Sequence, residues 1–107
     1  MEIKVTDTFK KEFKKLLKKD RLLIAEYELL IDKLHHQPDL GVSLGDGKYK
    51  IRLKNLSSNK GKSGGYRIIT YTKIENTIVL VYIYSKNNME SVLIKKIDAL
   101  IKAFKIS

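Results

Sequence analysis

A chain of 107 residues, 43% of them hydrophobic and none of them cysteine, has room for one core; a disordered tail, a disulfide framework and a thiolate metal site are excluded. Its formal net charge of +10 implies a polyanionic partner: nucleic acid, a membrane surface or an acidic protein. Met1 to Thr6 lack the apolar stretch of a signal peptide, and the longest apolar run, Thr77 to Tyr84, is too short to span a bilayer as a helix, so the expected setting is a reducing cytoplasm.

Ile3 to Val5 reads as a short first strand. Thr6 or Asp7 can cap the helix that follows, in which Phe9, Phe13, Leu16 and Leu17 recur at helical spacing with lysines opposite. Asp20 is placed as a second N-cap, ahead of the stripe Leu23, Tyr27, Leu30, Ile31 and Leu34. His35 and His36 close this helix and Pro38 prevents much continuation, which gives two antiparallel helices joined by a tight turn. Asp39 to Gly47, with Gly41, Gly45 and Gly47, is expected to be a loop. The period then changes to two: Tyr49, Ile51 and Leu53 alternate with Lys48, Lys50, Arg52 and Lys54, as in a strand with one apolar and one cationic face. Asn55 to Gly65 is a polar, glycine-rich connection. Tyr66 to Ile74 and Thr77 to Tyr84 are rich in β-branched and aromatic residues, with Glu75 and Asn76 as the hairpin turn between them. Both are apolar in both phases, so both faces of their middles should be covered. Asn87 and Glu90 are spaced as a capping pair for a last helix with the stripe Leu93, Ile97, Leu100, Ile101 and Phe104. The order β-α-α-β-β-β-α defines an α+β fold over residues 1–107: an antiparallel sheet packed against an N-terminal helical hairpin and a C-terminal helix.

The charge is not spread evenly. From Lys48 to Arg67 the charged side chains are all basic, with no Asp or Glu among them: Lys48, Lys50, Arg52, Lys54, Lys60, Lys62 and Arg67. Leu23 to Gly47 is acidic by contrast, with Glu26, Glu28, Asp32, Asp39 and Asp46 against Lys33. Cations on alternate positions of a strand form a stiff surface suited to phosphates. The plainer alternative is a solvated edge strand whose lysines block aggregation. Gly61-Lys62-Ser63 suggests a phosphate loop, but that pattern needs glycine where Leu56 stands, and a helix where a strand begins at Tyr66; a P-loop is excluded. His35 and His36 point roughly 100° apart on a helix and fit a helix C-terminus better than a shared metal. Neither a cofactor nor a metal is expected. Tyr71 and Tyr82 suit sheet packing. Tyr84, at a strand end, is expected to present its hydroxyl at the surface.

Three segments together, Leu44 to Leu53, Lys60 to Tyr71 and Tyr84 to Asn87, resemble the RelE/ParE superfamily of toxins, nearest to a RelE/HigB-like branch with a Lys-Gly-Lys-Ser-Gly-Gly segment. The combination of Tyr49-Lys50-Ile51-Arg52-Leu53 with Gly64-Gly65-Tyr66-Arg67 is the specific part. The resemblance implies a toxin that cuts mRNA on the ribosome without a metal, inhibits translation, and is neutralised by a cognate antitoxin, a small helix-turn-helix protein encoded beside it. It matches Lys50 and Arg52 to paired strand cations, Arg67 to the arginine of the Gly-Tyr-Arg segment, and Lys86 to a basic position after the last strand. A tyrosine that RelE carries in its final helix has no counterpart in Glu90 to Leu93, so Tyr84 stands in.

Cleavage by the ribose 2′-hydroxyl needs a base, cations around the phosphorane and an acid for the leaving oxygen. Neighbouring positive charge favours a neutral amine, which makes Lys50 and Lys62 the candidate bases. Arg52 and Arg67 are assigned to the phosphate, Tyr84 or Lys86 to the leaving group, and Lys48, Lys54 and Lys60 to RNA binding. Arg67 has a structural alternative as the ion-pair partner of Glu75 or Asp98. Two other functions share this fold: a ParE-like inhibitor of DNA gyrase and an inert RNA-binding module.

Overall fold

Thr6 turns the first strand into the first helix. In the computed structural model, which describes residues 1–54, 65–85 and 93–106, β1 (Glu2–Val5) ends just before this residue and α1 (Asp7–Lys19) begins just after it. The Thr6 hydroxyl accepts from the Phe9 amide at 2.9 Å, as an N-cap does, and donates to the Val81 carbonyl at 2.7 Å. α2 (Leu23–His36) follows after a short turn. Asp20 was expected to cap it, but Leu22 holds the N-cap position without a side-chain bond. The Asp20 side chain takes the Leu22 amide at 3.2 Å and otherwise points into the core.

The expected loop at Asp39 to Gly47 contains a strand. β2 (Val42–Gly45) pairs with β3 (Lys48–Leu53) through a turn at Asp46 and Gly47, both with positive φ (52° and 77°). Two positive φ values in succession define the hairpin turn that Asp-Gly favours, so the signal was present in the sequence. β4 (Tyr66–Ile74) and β5 (Thr77–Ser85) form the expected hairpin, with Asn76 at φ 53°. α3 (Leu93–Ile106) closes the chain.

The five strands lie in the order β1-β5-β4-β3-β2. All neighbours are antiparallel except β1 and β5, which run parallel. The helical hairpin makes that possible by carrying the chain back across one face of the sheet. As expected, β4 and β5 are covered on both sides. Phe9, Leu23, Leu30 and Leu34 of the helices pack against Ile51, Leu53, Ile68, Ile78, Leu80 and Ile83. On the other face Ile97 and Ile101 of α3 pack against Ile69, Val79, Val81 and three tyrosines. The register of β5 slips between Tyr82 and Leu80, so Val81 is the extra residue of a bulge. Thr6 satisfies the carbonyl that this bulge takes out of the ladder. No helix among the described residues is long and apolar enough to cross a membrane.

Candidate nucleic-acid interface

The pleat of β3 sorts its side chains. Ile51 and Leu53 are buried in the helical-hairpin core, and the alternate positions Lys48, Lys50 and Arg52 fall on the α3 side. Strand register then brings three candidate residues into one row. Arg52 is paired with Arg67 on β4, and Arg67 with Tyr84 on β5. Directly paired residues hold their Cβ atoms about 4.5–5.5 Å apart. Lys50 lies one pleat along, opposite Ile69. Lys60, Lys62 and Lys86, and the capping pair Asn87 and Glu90, lie outside the described residues.

Arg67 is the unusual member. It is only 5% exposed. Its side chain donates to the Tyr66 carbonyl at 3.1 Å, and no ion pair among the described residues includes it. The structural alternative of a bridge to Glu75 or Asp98 is not found. Its cross-strand neighbour is another arginine, and like charges in direct register are destabilising. Neither Lys50 nor Arg52 has an acidic partner among the described residues. Gly65 makes the close packing possible. A Cβ there would run into the Leu53 carbonyl oxygen and lie 3.3 Å from the Arg67 Nη1 atom. Any larger residue would therefore push β4 away from β3 and crowd the guanidinium.

Two expected features differ. Lys48 does not stand free, because its amine donates to Asp98 of α3 at 2.7 Å and its side chain is only 12% exposed. The stretch from Lys48 to Arg67 contains no acid, but the fold supplies one from 50 positions away. Tyr84 does not present its hydroxyl at the surface. It is 3% exposed, with its ring stacked on that of Tyr82 at 6.1 Å between centroids. Tyr71 and Tyr82 pack in the sheet as expected, each beneath a lysine of α3: Lys105 at 5.0 Å and Lys96 at 4.6 Å from the ring centres.

A cleft of about 210 Å³ opens between the sheet and α3 beside this row, lined by Leu44, Lys48, Lys50, Ile69, Tyr84, Ile94 and Ile97. Its walls are mostly apolar, with Lys48 and Lys50 among them. Apolar walls beside lysines are chemistry against which a base can stack while a cation holds its phosphate. Leu44 and Ile94 were missed as site residues. Both are large apolar side chains left exposed on exposed stretches of β2 and α3, which no periodicity reveals. Lys54 is exposed past the end of β3, where β2 no longer covers the strand, since its register reaches only Lys50.

No individual curated protein matches the chain. A family model described as the RelE toxin of the RelE/RelB toxin–antitoxin system matches residues 1–106. The chain forms an α+β fold over the matched residues. The chain belongs to the RelE toxin family and is the toxin of a toxin–antitoxin system, which implies an antitoxin as its partner.

Proposed function

We propose that this toxin is a ribosome-dependent mRNA endoribonuclease that arrests translation, and that Arg52, Arg67, Tyr84 and Lys50 surround the scissile phosphate. One observation carries the proposal: Arg67 is a buried cation with an arginine opposite and no acidic partner among the described residues. A buried charge without a counter-ion is costly. An anion arriving between Arg52 and Arg67 offsets that cost, and a guanidinium holds a phosphate by two parallel hydrogen bonds.

In the proposed reaction the ribose 2′-oxygen attacks the adjacent phosphorus and the bond to the 5′-oxygen breaks. The products are a 2′,3′-cyclic phosphate and a free 5′-hydroxyl. The 2′-hydroxyl proton passes to Lys50 or Lys62, and the leaving oxygen takes a proton from Lys86, or from Tyr84 through the cleft that it lines. Arg52 and Arg67 neutralise the charge that grows on the phosphorane. Cations and proton carriers suffice for this step, so no metal is invoked. Lys54 and Lys60 track the flanking backbone. The protein acts in the cytoplasm, and its antitoxin is a small helix-turn-helix protein.

Arg67→Ala tests the proposal. Cleavage of mRNA on programmed ribosomes should fall by about 10²–10³, the usual loss for one donor aimed at transition-state charge, while thermal melting still shows a folded protein. Free RNA and gyrase supercoiling serve as parallel substrates. Full cleavage by a folded Arg67→Ala variant overturns the site. Inhibition of supercoiling without RNA cleavage replaces the nuclease with a gyrase inhibitor, and RNA binding without cleavage replaces it with an inert binding module.

A further inference from the structure

On the far side of the sheet from Arg67 lies a buried carboxylate that the proposed reaction does not use. Asp20, in the turn between α1 and α2, is 4% exposed. Its position is fixed by the turn itself: its amide donates to the Leu16 carbonyl at 2.9 Å, its carbonyl accepts from Leu23 at 3.2 Å, and its Oδ1 takes the Leu22 amide. The Oδ2 atom accepts from the Tyr66 hydroxyl at 2.8 Å. This is a contact between residues 46 positions apart, set against a cluster of buried leucine, isoleucine and phenylalanine side chains.

We propose that Asp20 and Tyr66 are positioning residues that aim the Arg67 guanidinium from behind the sheet; the proposal rests on Arg67 serving the phosphate. Tyr66 directly precedes Arg67, so their side chains leave opposite faces of β4: Tyr66 into the helical-hairpin core and Arg67 toward α3. The Tyr66 carbonyl is also the acceptor of the Arg67 Nη1 hydrogen bond, at 3.1 Å. The plane of that one peptide therefore ties the tyrosine ring to the guanidinium.

The location explains why an anchor is needed. Among the described residues, Leu53 with Tyr66 and Tyr66 with Ser85 are the last register pairs of their two ladders. The Arg52–Arg67–Tyr84 row is one pair from the end, where ladders fray and where two arginines repel each other. A hydrogen bond from beneath, to a carboxylate held by a helix–helix turn, fixes the final pair. An apolar pair would fill the same space without the desolvation of a carboxylate, so a buried polar pair here fits a role in setting one geometry. The Tyr66 hydroxyl stays protonated well above the usual tyrosine range, first through burial and then through its bond to Asp20. It therefore remains a donor to Asp20 through the pH range in which a free tyrosine ionises.

The test combines cleavage with a readout independent of activity. Proton–nitrogen NMR follows the Arg67 side-chain Nε–H in wild type, Tyr66→Phe, Asp20→Ala and Asp20→Asn, well below their melting temperatures. Tyr66→Phe and Asp20→Ala should shift that resonance, and should slow single-turnover cleavage on saturating ribosomes by roughly 10–100-fold, because a displacement of about 1 Å can cost that much. Ribosome affinity should stay close to wild type. Asp20→Asn retains a hydrogen-bonding group for the Tyr66 hydroxyl and should recover most of the rate. In an Arg67→Ala background, Tyr66→Phe should add no further loss. An unmoved Arg67 resonance in Tyr66→Phe, or equal slowing with and without Arg67, overturns the positioning role. A shifted resonance in a toxin whose wild type cuts no RNA supports the positioning role and overturns the proposed function instead.

Discussion

The two faces of the sheet are built for different ends. On the helical-hairpin face, leucine, isoleucine and phenylalanine side chains interlock around a few polar groups, among them the pair Asp20 and Tyr66. On the α3 face the apolar cluster contains three tyrosines, and Lys48, Lys50, Arg52 and Arg67 stand along its margin. Strand β3 serves both, because the pleat separates Ile51 and Leu53 from Lys50 and Arg52. One face contributes stability and the other spends some of it on cations set side by side. Substitutions on the two faces should therefore separate stability from activity.

The largest effect on stability is expected from the hairpin face. Leu34 is fully buried among the helices and β-strands. Leu34→Ala should cost about 2–5 kcal/mol through lost transfer energy and the cavity left behind, while the surviving folded fraction cleaves at the wild-type rate. Chemical denaturation and activity per folded molecule measure the two. Arg67→Ala should behave in the opposite way, with a loss of rate and little loss of stability. A Leu34→Ala protein that is folded but inactive would mean that the faces are not separable.

A smaller effect concerns pH. Tyr66 and Tyr27, both on the hairpin face, have hydroxyls whose pKa is raised, chiefly by burial and, for Tyr66, also by Asp20. The unfolded chain gives up these protons near pH 10 and the folded chain holds them longer. Between those values the unfolded state binds fewer protons, so stability falls as pH rises; below about pH 10 the contribution is complete. For Tyr66 the slope should approach about 1.4 kcal/mol per pH unit, the limit for one proton. Tyr66→Phe should remove one proton's share and leave that of Tyr27. Denaturation midpoints from pH 8 to 12 test this, and an unchanged slope in Tyr66→Phe would break the assignment.

What could be read in the sequence follows from range. The alternation of β3, the doubly covered hairpin β4–β5 and the stripes of the helices are local patterns, and each is found where expected. β2 was lost among glycines because four residues carry too little pattern, although Asp46-Gly47 marked its turn. Asp20 has the right chemistry for an N-cap, and only the arrival of Tyr66 from 46 positions away shows what its carboxylate serves. The parallel pairing of β1 also depends on where the helices return the chain. In the site, the cationic face was legible and the row Arg52–Arg67–Tyr84 was not, because register is a property of the assembled sheet.

The smallest effect tests how the cations divide among themselves. Lys48 is held by Asp98 of α3 and largely covered, whereas Lys54 is exposed with no ion pair among the described residues. A lysine already paired releases few counterions when RNA binds. An exposed one that meets a phosphate releases its share, about 0.7 in the slope of log affinity against log salt for a single strand. Lys54→Ala should therefore flatten the salt dependence of RNA binding by about that amount, and Lys48→Met should hardly change it. Asp98→Asn should steepen it, because Lys48 is released toward the cleft it lines. Asp98 is 58% exposed, so solvent screens the pair, and its loss should cost less than about 1 kcal/mol of stability. Equal flattening by Lys48→Met and Lys54→Ala would show that Lys48 leaves Asp98 for the RNA, and the tie to α3 would then be a feature of the free toxin alone.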